Sequence, residues 1–305
     1  MAGGRRGEVE LAIIVALSAN VIIAILKLVG AIDSNSSGMF AEAAHSFADS
    51  GNQLILLIGV RLALRPADRS HPFGYGKDRY FWTFFAAVMM FTIGATFSLI
   101  LGVNSLTNPG EVHHSNFNFL ILGIAALLES VALWLALRAT WSELTQRGFW
   151  SAIRQTKDPI KYVVVLEDTA ALIGITLAVT GLVLSQVFDV AAFDGVAAIL
   201  IGLLLGGIAL LLGYESRSLL LGEAVDRRTR NGILGVVQTH NAVVDIVDLK
   251  TMHLGPEEVL VGLEVELSVD LSSEDASTAV REIETLIQAY MPSATHIFVE
   301  SVSSP

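Results

Sequence analysis

Apolar residues run in long stretches through the first two thirds of the chain, and polar residues gather in short breaks between them. A helix that crosses a bilayer needs about 20 mostly apolar residues. Six stretches predict such helices: Leu11 to Ile32, Ser37 to Leu64, Tyr80 to Leu106, Phe117 to Thr140, Ile160 to Val187 and Val190 to Leu212. The breaks carry turn formers: Asp33-Ser34-Asn35-Ser36, the basic stretch around Pro66 and Pro72, Asn108-Pro109-Gly110 and Lys157-Asp158-Pro159. Only Phe188-Asp189 separates the last two stretches, which predicts a tight hairpin.

Beyond Arg217 the period changes. Asp226 to His240 predicts a helix, Val243 to Leu254 and Val259 to Val269 predict strands, and His296 to Val302 predicts a last strand. Ser273 to Tyr290 predicts a second helix, with Ser273 and Glu274 as start signals. The fold class is therefore a membrane all-α six-helix domain over residues 1–214, then a small α+β domain of order αββαβ over residues 215–305. Tyr214 to Gly222 reads as a short hinge between them.

Composition agrees with a membrane class, since the 305 residues are 53% hydrophobic and 16% charged. The stretch from Leu11 is too long for a signal-peptide core and reads as a retained helix. The absence of cysteine excludes disulfides, thiolate metal sites and a cysteine nucleophile, so any metal must be held by nitrogen or oxygen. Of the net charge of -11, the segment from Arg217 holds -8, from 14 Asp and Glu against 6 Lys and Arg. That acidic tail argues against a nucleic-acid partner. Basic residues set orientation: Arg61, Arg65, Arg69, Lys77 and Arg79 follow the second stretch, and Arg138, Arg147, Arg154, Lys157 and Lys161 surround the fourth connection. With Arg5 and Arg6 at the start and Arg217, Arg227 and Arg228 after the sixth stretch, the positive-inside rule puts both termini in the cytoplasm. Without a transit peptide or sorting signal, the expected residence is a prokaryotic cell (inner) membrane.

Ionisable residues inside apolar spans are costly and point to function. His45 and Asp49, four apart in the second stretch, share one helix face as a cation site needs, and Asn52 continues that stripe. A plainer role for the pair is a mutual hydrogen bond that joins helices. The fifth stretch holds Glu167 and Asp168, which point about 100° apart on a helix. Asp168 makes a three-ligand set with His45 and Asp49, while Glu167 either closes a tetrahedron or bonds a polar partner on another helix. Glu129, in the fourth stretch, reads as an interhelical bond or a proton relay. The chain has no His-Glu-x-x-His pair, so an intramembrane metalloenzyme is not expected. A carboxylate-lined cation channel, which would place acidic residues along several helices, stands as the alternative class.

His45-Ser46-Phe47-Ala48-Asp49 and Leu166-Glu167-Asp168-Thr169-Ala170-Ala171 resemble the second-helix and fifth-helix motifs of the cation diffusion facilitators. His71-Pro72-Phe73-Gly74-Tyr75-Gly76-Lys77 is similar to the family's loop after helix two, and the Glu-Asp-Thr-Ala-Ala run points to the zinc transporter 9-like branch. The resemblance covers nearly the whole chain. It implies a homodimer, a ferredoxin-like cytoplasmic domain and proton-coupled efflux of a divalent metal, with zinc as cargo and no permanently bound cofactor. Carried over by position, the transport site would be His45, Asp49, Val164 and Asp168; Val164 cannot ligate, which makes Glu167 the natural substitute. One His with two or three carboxylates is a harder ligand set, open to manganese or iron(II) as well. The accessory loop site matches Asp68 and His71, but Tyr75 stands at its third position, so that site is expected to be weak. Apolar Val247 and Gly262 occupy two positions that bind metal in the soluble domain of some members, and His240, His253 and His296 read as structural. The implied role of that domain is dimerisation.

Overall fold

The computed structural model describes residues 2–108, 116–147 and 160–302. The expected breaks at Pro109-Gly110 and Lys157-Asp158-Pro159, with Arg154, lie outside the described residues, as do the side chains of Arg5, Arg6, Arg147 and Lys161. The helices of the first part are Ala2–Ser34 (α1), Ser37–Ala63 (α2), Asp78–Met89 (α3), Thr96–Thr107 (α4), Asn116–Arg147 (α5), Ile160–Phe188 (α6) and Ala192–Leu221 (α7). A π-helical turn, Met90–Ala95, joins α3 to α4 in one continuous run. Among the described residues four runs are long and apolar enough to cross a membrane: Asp78–Thr107, Asn116–Trp141, Val163–Phe188 and Ala192–Leu221. α1 and α2 fall outside that set; α2 spans 27 residues, but Glu42, His45, Asp49, Asn52 and Arg61 lower its hydropathy.

The turns follow their residues. Asn35 (φ 54°) and Asp189 (φ 55°) take the left-handed conformation that Asn and Asp tolerate, and so close the α1–α2 and α6–α7 connections. The start of α2 is capped twice. Ser36 Oγ accepts the Met39 N–H at 3.1 Å and donates to Asp194 Oδ1 at 2.6 Å. The Asp194 carboxylate, at the start of α7, also accepts the N–H groups of Ser37 and Gly38. Small residues let α4 and α7 approach: a Cβ at Gly102 would strike Ile199 and the Gly195 carbonyl, and one at Gly202 would strike Leu99. Across the expected boundary at Tyr214 to Gly222, α7 stays helical to Leu221 and breaks at Gly222, whose φ of 103° disfavours any other residue.

The described residues form two compact units, one of residues 2–59, 82–108, 116–147 and 160–216, the other of residues 60–81 and 217–302. The first has a core of small and branched residues, Ala31, Met39, Ala41, Leu122, Ala178, Ile201 and Leu205 among them. The second contains Arg227–Gln238 (α8), Val243–Gly255 (β1), Glu258–Leu267 (β2), Ser273–Tyr290 (α9) and Ala294–Val302 (β3). Its sheet has the order β1-β2-β3, antiparallel in the first pair and parallel in the second, with α9 as the crossover. Val259, Val261, Leu263 and Val265 alternate along β2 onto the inner face, where they share a core with Ile233 and Val237 of α8 and Ile283 and Ile287 of α9. Asp226 caps α8 by accepting the Arg228 and Thr229 N–H groups, and Ser272 caps α9 by accepting that of Asp275.

Candidate functional site

In the first unit, residues spaced three and four apart put Glu42, His45, Ser46, Asp49 and Asn52 on adjoining rows of α2. His45 is fully buried, and its Nε2 lies 3.3 Å from Asp49 Oδ2 without forming a hydrogen bond. Asn52 Nδ2 donates to Glu167 Oε1 on α6. Asp49, Glu129, Glu167 and Asp168 line one cavity of about 290 Å³, together with Asn20, Gln53, Val164 and apolar residues of α5. His45 is not among these wall residues and contacts one of them, Asp49.

Buried polar atoms in native proteins are nearly always hydrogen-bonded, so exceptions call for an explanation. Asp49 Oδ1 and Asp168 Oδ2 are buried and have no hydrogen-bond partner among the described residues. They belong to two wall residues of the same cavity, where oxygens of this kind can accept a proton or ligate a cation. Among the described residues, however, no three His, Asp or Glu side chains form a ready-made metal-holding group. The cluster thus joins the acidic residues at a shared wall, with Glu167 engaged by Asn52.

Sequence reasoning passed over Lys27 and Glu42. Both are fully buried, and Lys27 Nζ lies 2.8 Å from Glu42 Oε2 and 2.8 Å from Ser46 Oγ. The signal was present, since each is a charge inside an apolar stretch. Asn20 and Gln53 were missed too; Gln53 follows Asp49 by one helical turn, while Asn20 on α1 has no neighbour in sequence that would flag it.

In the second unit, Asp68 organises its own loop. Its Oδ1 accepts the Ser70 N–H at 2.8 Å, the Ser70 hydroxyl at 2.6 Å and the His71 N–H at 2.8 Å, and its Oδ2 accepts the Tyr75 hydroxyl at 2.8 Å. These bonds, from the Ser70 hydroxyl first, then the His71 N–H and the Tyr75 hydroxyl, hold the exposed carboxyl well below the usual range. His71 Nδ1 is 3.9 Å from Asp68 Oδ1, and its ring rests on Tyr75 at 4.2 Å between centroids. Phe73 packs edge-on against His296 and Phe298 of β3, so His296 has a packing role. His240 Nε2 contacts Glu282 Oε2 at 2.9 Å, and the buried His253 donates its backbone N–H to Glu223 O.

Long apolar helices with an acid-lined cavity among them define the class of helical membrane proteins that hold a polar site within the bundle. The family model described as the cation efflux transmembrane domain matches residues 13–221. The chain belongs to that family, the cation diffusion facilitators. It is 28% identical to metal tolerance protein C4 of Arabidopsis thaliana, over 84% of this chain and 57% of that one. It is also 28% identical to the human mitochondrial proton-coupled zinc antiporter SLC30A9, over 83% of this chain and 45% of that one. The chain thus spans about half the length of these two relatives. The cation-efflux pump FieF of Shewanella oneidensis is 31% identical over 82% of this chain and 79% of its own. Among solved structures, a C-terminal domain of MamM aligns with 26% of this chain and 98% of its own at 10% identity and a TM-score of 0.25.

Proposed function

We propose that this chain is an efflux carrier for a divalent metal, with zinc as its first cargo and protons as the coupling ion. The observation that carries the reading is the shared cavity: Asp49 and Asp168 each bring a buried oxygen without a hydrogen-bond partner among the described residues to one wall system. The names of the relatives support zinc and proton coupling without extending to this chain. In this reading α1 and α2 complete six spans around the site, with both termini cytoplasmic in a prokaryotic inner membrane. Residues 1–214 form the transport domain and 215–305 a cytoplasmic ferredoxin-like domain through which, together with the helices, two copies pair.

His45, Asp49 and Asp168 are the proposed ligands, and α2 and α6 bring them together as the carrier changes state. Binding needs neutral His45 and ionised carboxylates, so metal and protons compete for the same lone pairs and antiport follows from that competition. For Glu167 the hydrogen bond from Asn52 favours a second role, joining α2 to α6, over direct ligation. Asn52 and Glu129 then act as a second shell or proton relay. At the loop, the Ser70, His71 and Tyr75 donors already serve Asp68, which makes the Asp68–His71 pair a weak accessory site.

The test is metal flux into proteoliposomes under an imposed proton gradient, comparing zinc, manganese and iron(II). His45→Ala and Asp49→Ala abolish flux while the protein stays folded and inserted; retained flux in either removes this site. Loss with Asp168→Ala alone makes a three-ligand site, and loss with Glu167→Ala as well makes Glu167 the replacement for the ligand missing at Val164. Manganese or iron preferred over zinc overturns the cargo, and non-saturable flux indifferent to pH favours the channel alternative.

A further inference from the structure

We propose that Lys27 is a tethered counter-cation, a positioning residue whose ammonium fills a second cation cradle on α2 and so confines the transported metal to the Asp49 layer. The proposal rests on the transport-site reading above, and the buried ion pair carries it.

Lys27 Nζ is 2.8 Å from Glu42 Oε2 and 2.8 Å from Ser46 Oγ, with Lys27 and Glu42 both fully buried. As glue between α1 and α2 an ion pair is a poor choice, since apolar residues of similar volume hold helices at least as well without the cost of stripping two charges of water. A carboxylate and a hydroxyl side by side are instead the oxygen donors that hold a cation. Glu42 Oε1 is also buried and has no hydrogen-bond partner among the described residues, so the cradle has acceptor capacity beyond the lysine.

The opposite wall is shaped to admit this carboxylate. A Cβ on Gly174 of α6 would fall closer to Glu42 Oε1 than the 3.0 Å that real Cβ atoms respect, so glycine there leaves room for the oxygen. Glu42 lies seven residues before Asp49, about 10 Å along the helix. Without the ammonium, a metal at Asp49 would face a second anionic layer within reach on the same helix, and an ion could be trapped between two sites. With it, the layer is neutral and already satisfied. Covalent tethering means the compensating cation cannot leave with the cargo.

Zinc binding by calorimetry and zinc flux in proteoliposomes test this on the full chain. Lys27→Met binds about one more zinc per chain than wild type and transports about tenfold more slowly or worse. The extra zinc persists in Lys27→Met combined with Asp49→Ala, which locates it away from the transport layer. Lys27→Met combined with Glu42→Gln removes both charges and returns stoichiometry and flux to wild type. Wild-type stoichiometry in Lys27→Met, or a folded but inactive double variant, overturns the proposal. If Lys27→Met fails to insert, Glu42→Gln decides: a freed ammonium raises KM for zinc about tenfold or more with kcat retained, and an unchanged KM overturns the idea. Asp49→Ala alone separates the two readings, because flux retained there refutes the transport site while leaving the stoichiometry result to stand by itself.

Discussion

Replacing Gly174 with alanine tests the packing that surrounds the Lys27–Glu42 pair. The new methyl would sit well inside 3.0 Å of Glu42 Oε1. A side-chain end can normally swing away, but this one is held by Lys27 at 2.8 Å and shut in on all sides. Regaining ordinary contact at 3.4 Å requires a retreat of about 1 Å, enough to stretch the ion pair past hydrogen-bond length or to push α2 from α6. Overpacking of this kind costs roughly 1–3 kcal/mol, while Gly→Ala in a helix interior returns about 1 kcal/mol. The net expectation is a loss of about 0–2 kcal/mol against wild type, and of about 1–3 kcal/mol against a Gly→Ala change that makes no clash. Gly51→Ala on α2 is the control, because its methyl meets nothing within 4 Å and only the helical gain remains. Unfolding followed by tryptophan fluorescence in detergent should show Gly174→Ala melting below Gly51→Ala, which itself melts at or above wild type. In a Glu42→Ala background the clash is gone, so Gly174→Ala should no longer destabilise, leaving a coupling of about 2 kcal/mol. Gly174→Ala as stable as Gly51→Ala would refute the reasoning.

Two further outcomes follow from the capping and loop geometry. Asp194→Ala strips the start of α2 of a buried carboxylate that accepts Ser36, Ser37 and Gly38 donors, and should cost about 2–4 kcal/mol in thermal unfolding, with Asp194→Asn recovering part of it. Asp68 is held below the usual carboxylate range, so the order it lends the loop is complete above its unfolded value of about 4 and is lost as pH falls through its lower, folded value. Tyr75→Phe removes one donor and should move that loss to higher pH, read by hydrogen exchange across residues 68–77.

How far the chain was legible depends on whether a feature repeats along it. The long helices and the strand and helix order of the second unit follow from periodicity, and so does the shared face of His45 and Asp49; the start of α9 reads one residue late, at Ser273, whereas Ser272 is the cap. Pairings between helices do not. Glu42 is 15 residues from Lys27, and Asp194 is 158 residues from Ser36; nothing local announces either partner. The π turn in the third long run is also silent, because Met90 to Ala95 reads as ordinary helix. The division between the two units does fall within Tyr214 to Gly222, between Ser216 and Arg217, but the backbone there stays helical to Leu221 and the positive φ at Gly222 ends the helix.

The same physics explains why α2 fails a test of apolarity that four other runs pass. A membrane helix tolerates a charge or amide only if the bundle supplies a partner or a polar cavity. α2 has both: Lys27 for Glu42, Glu167 for Asn52, and the cavity for Asp49 and Gln53. The low hydropathy of this 27-residue helix thus comes from side chains that have partners or face the cavity. Val164 supports the same view from α6. It stands at the cavity wall, where it brings no ligating atom, and the nearby carboxylate of Glu167 accepts from Asn52. Asn52 engages Glu167 through Oε1, and a carboxylate has a second oxygen with lone pairs of its own, so the bond to α2 and ligation through Oε2 are compatible, and the Asn52 amide would then orient the ligand.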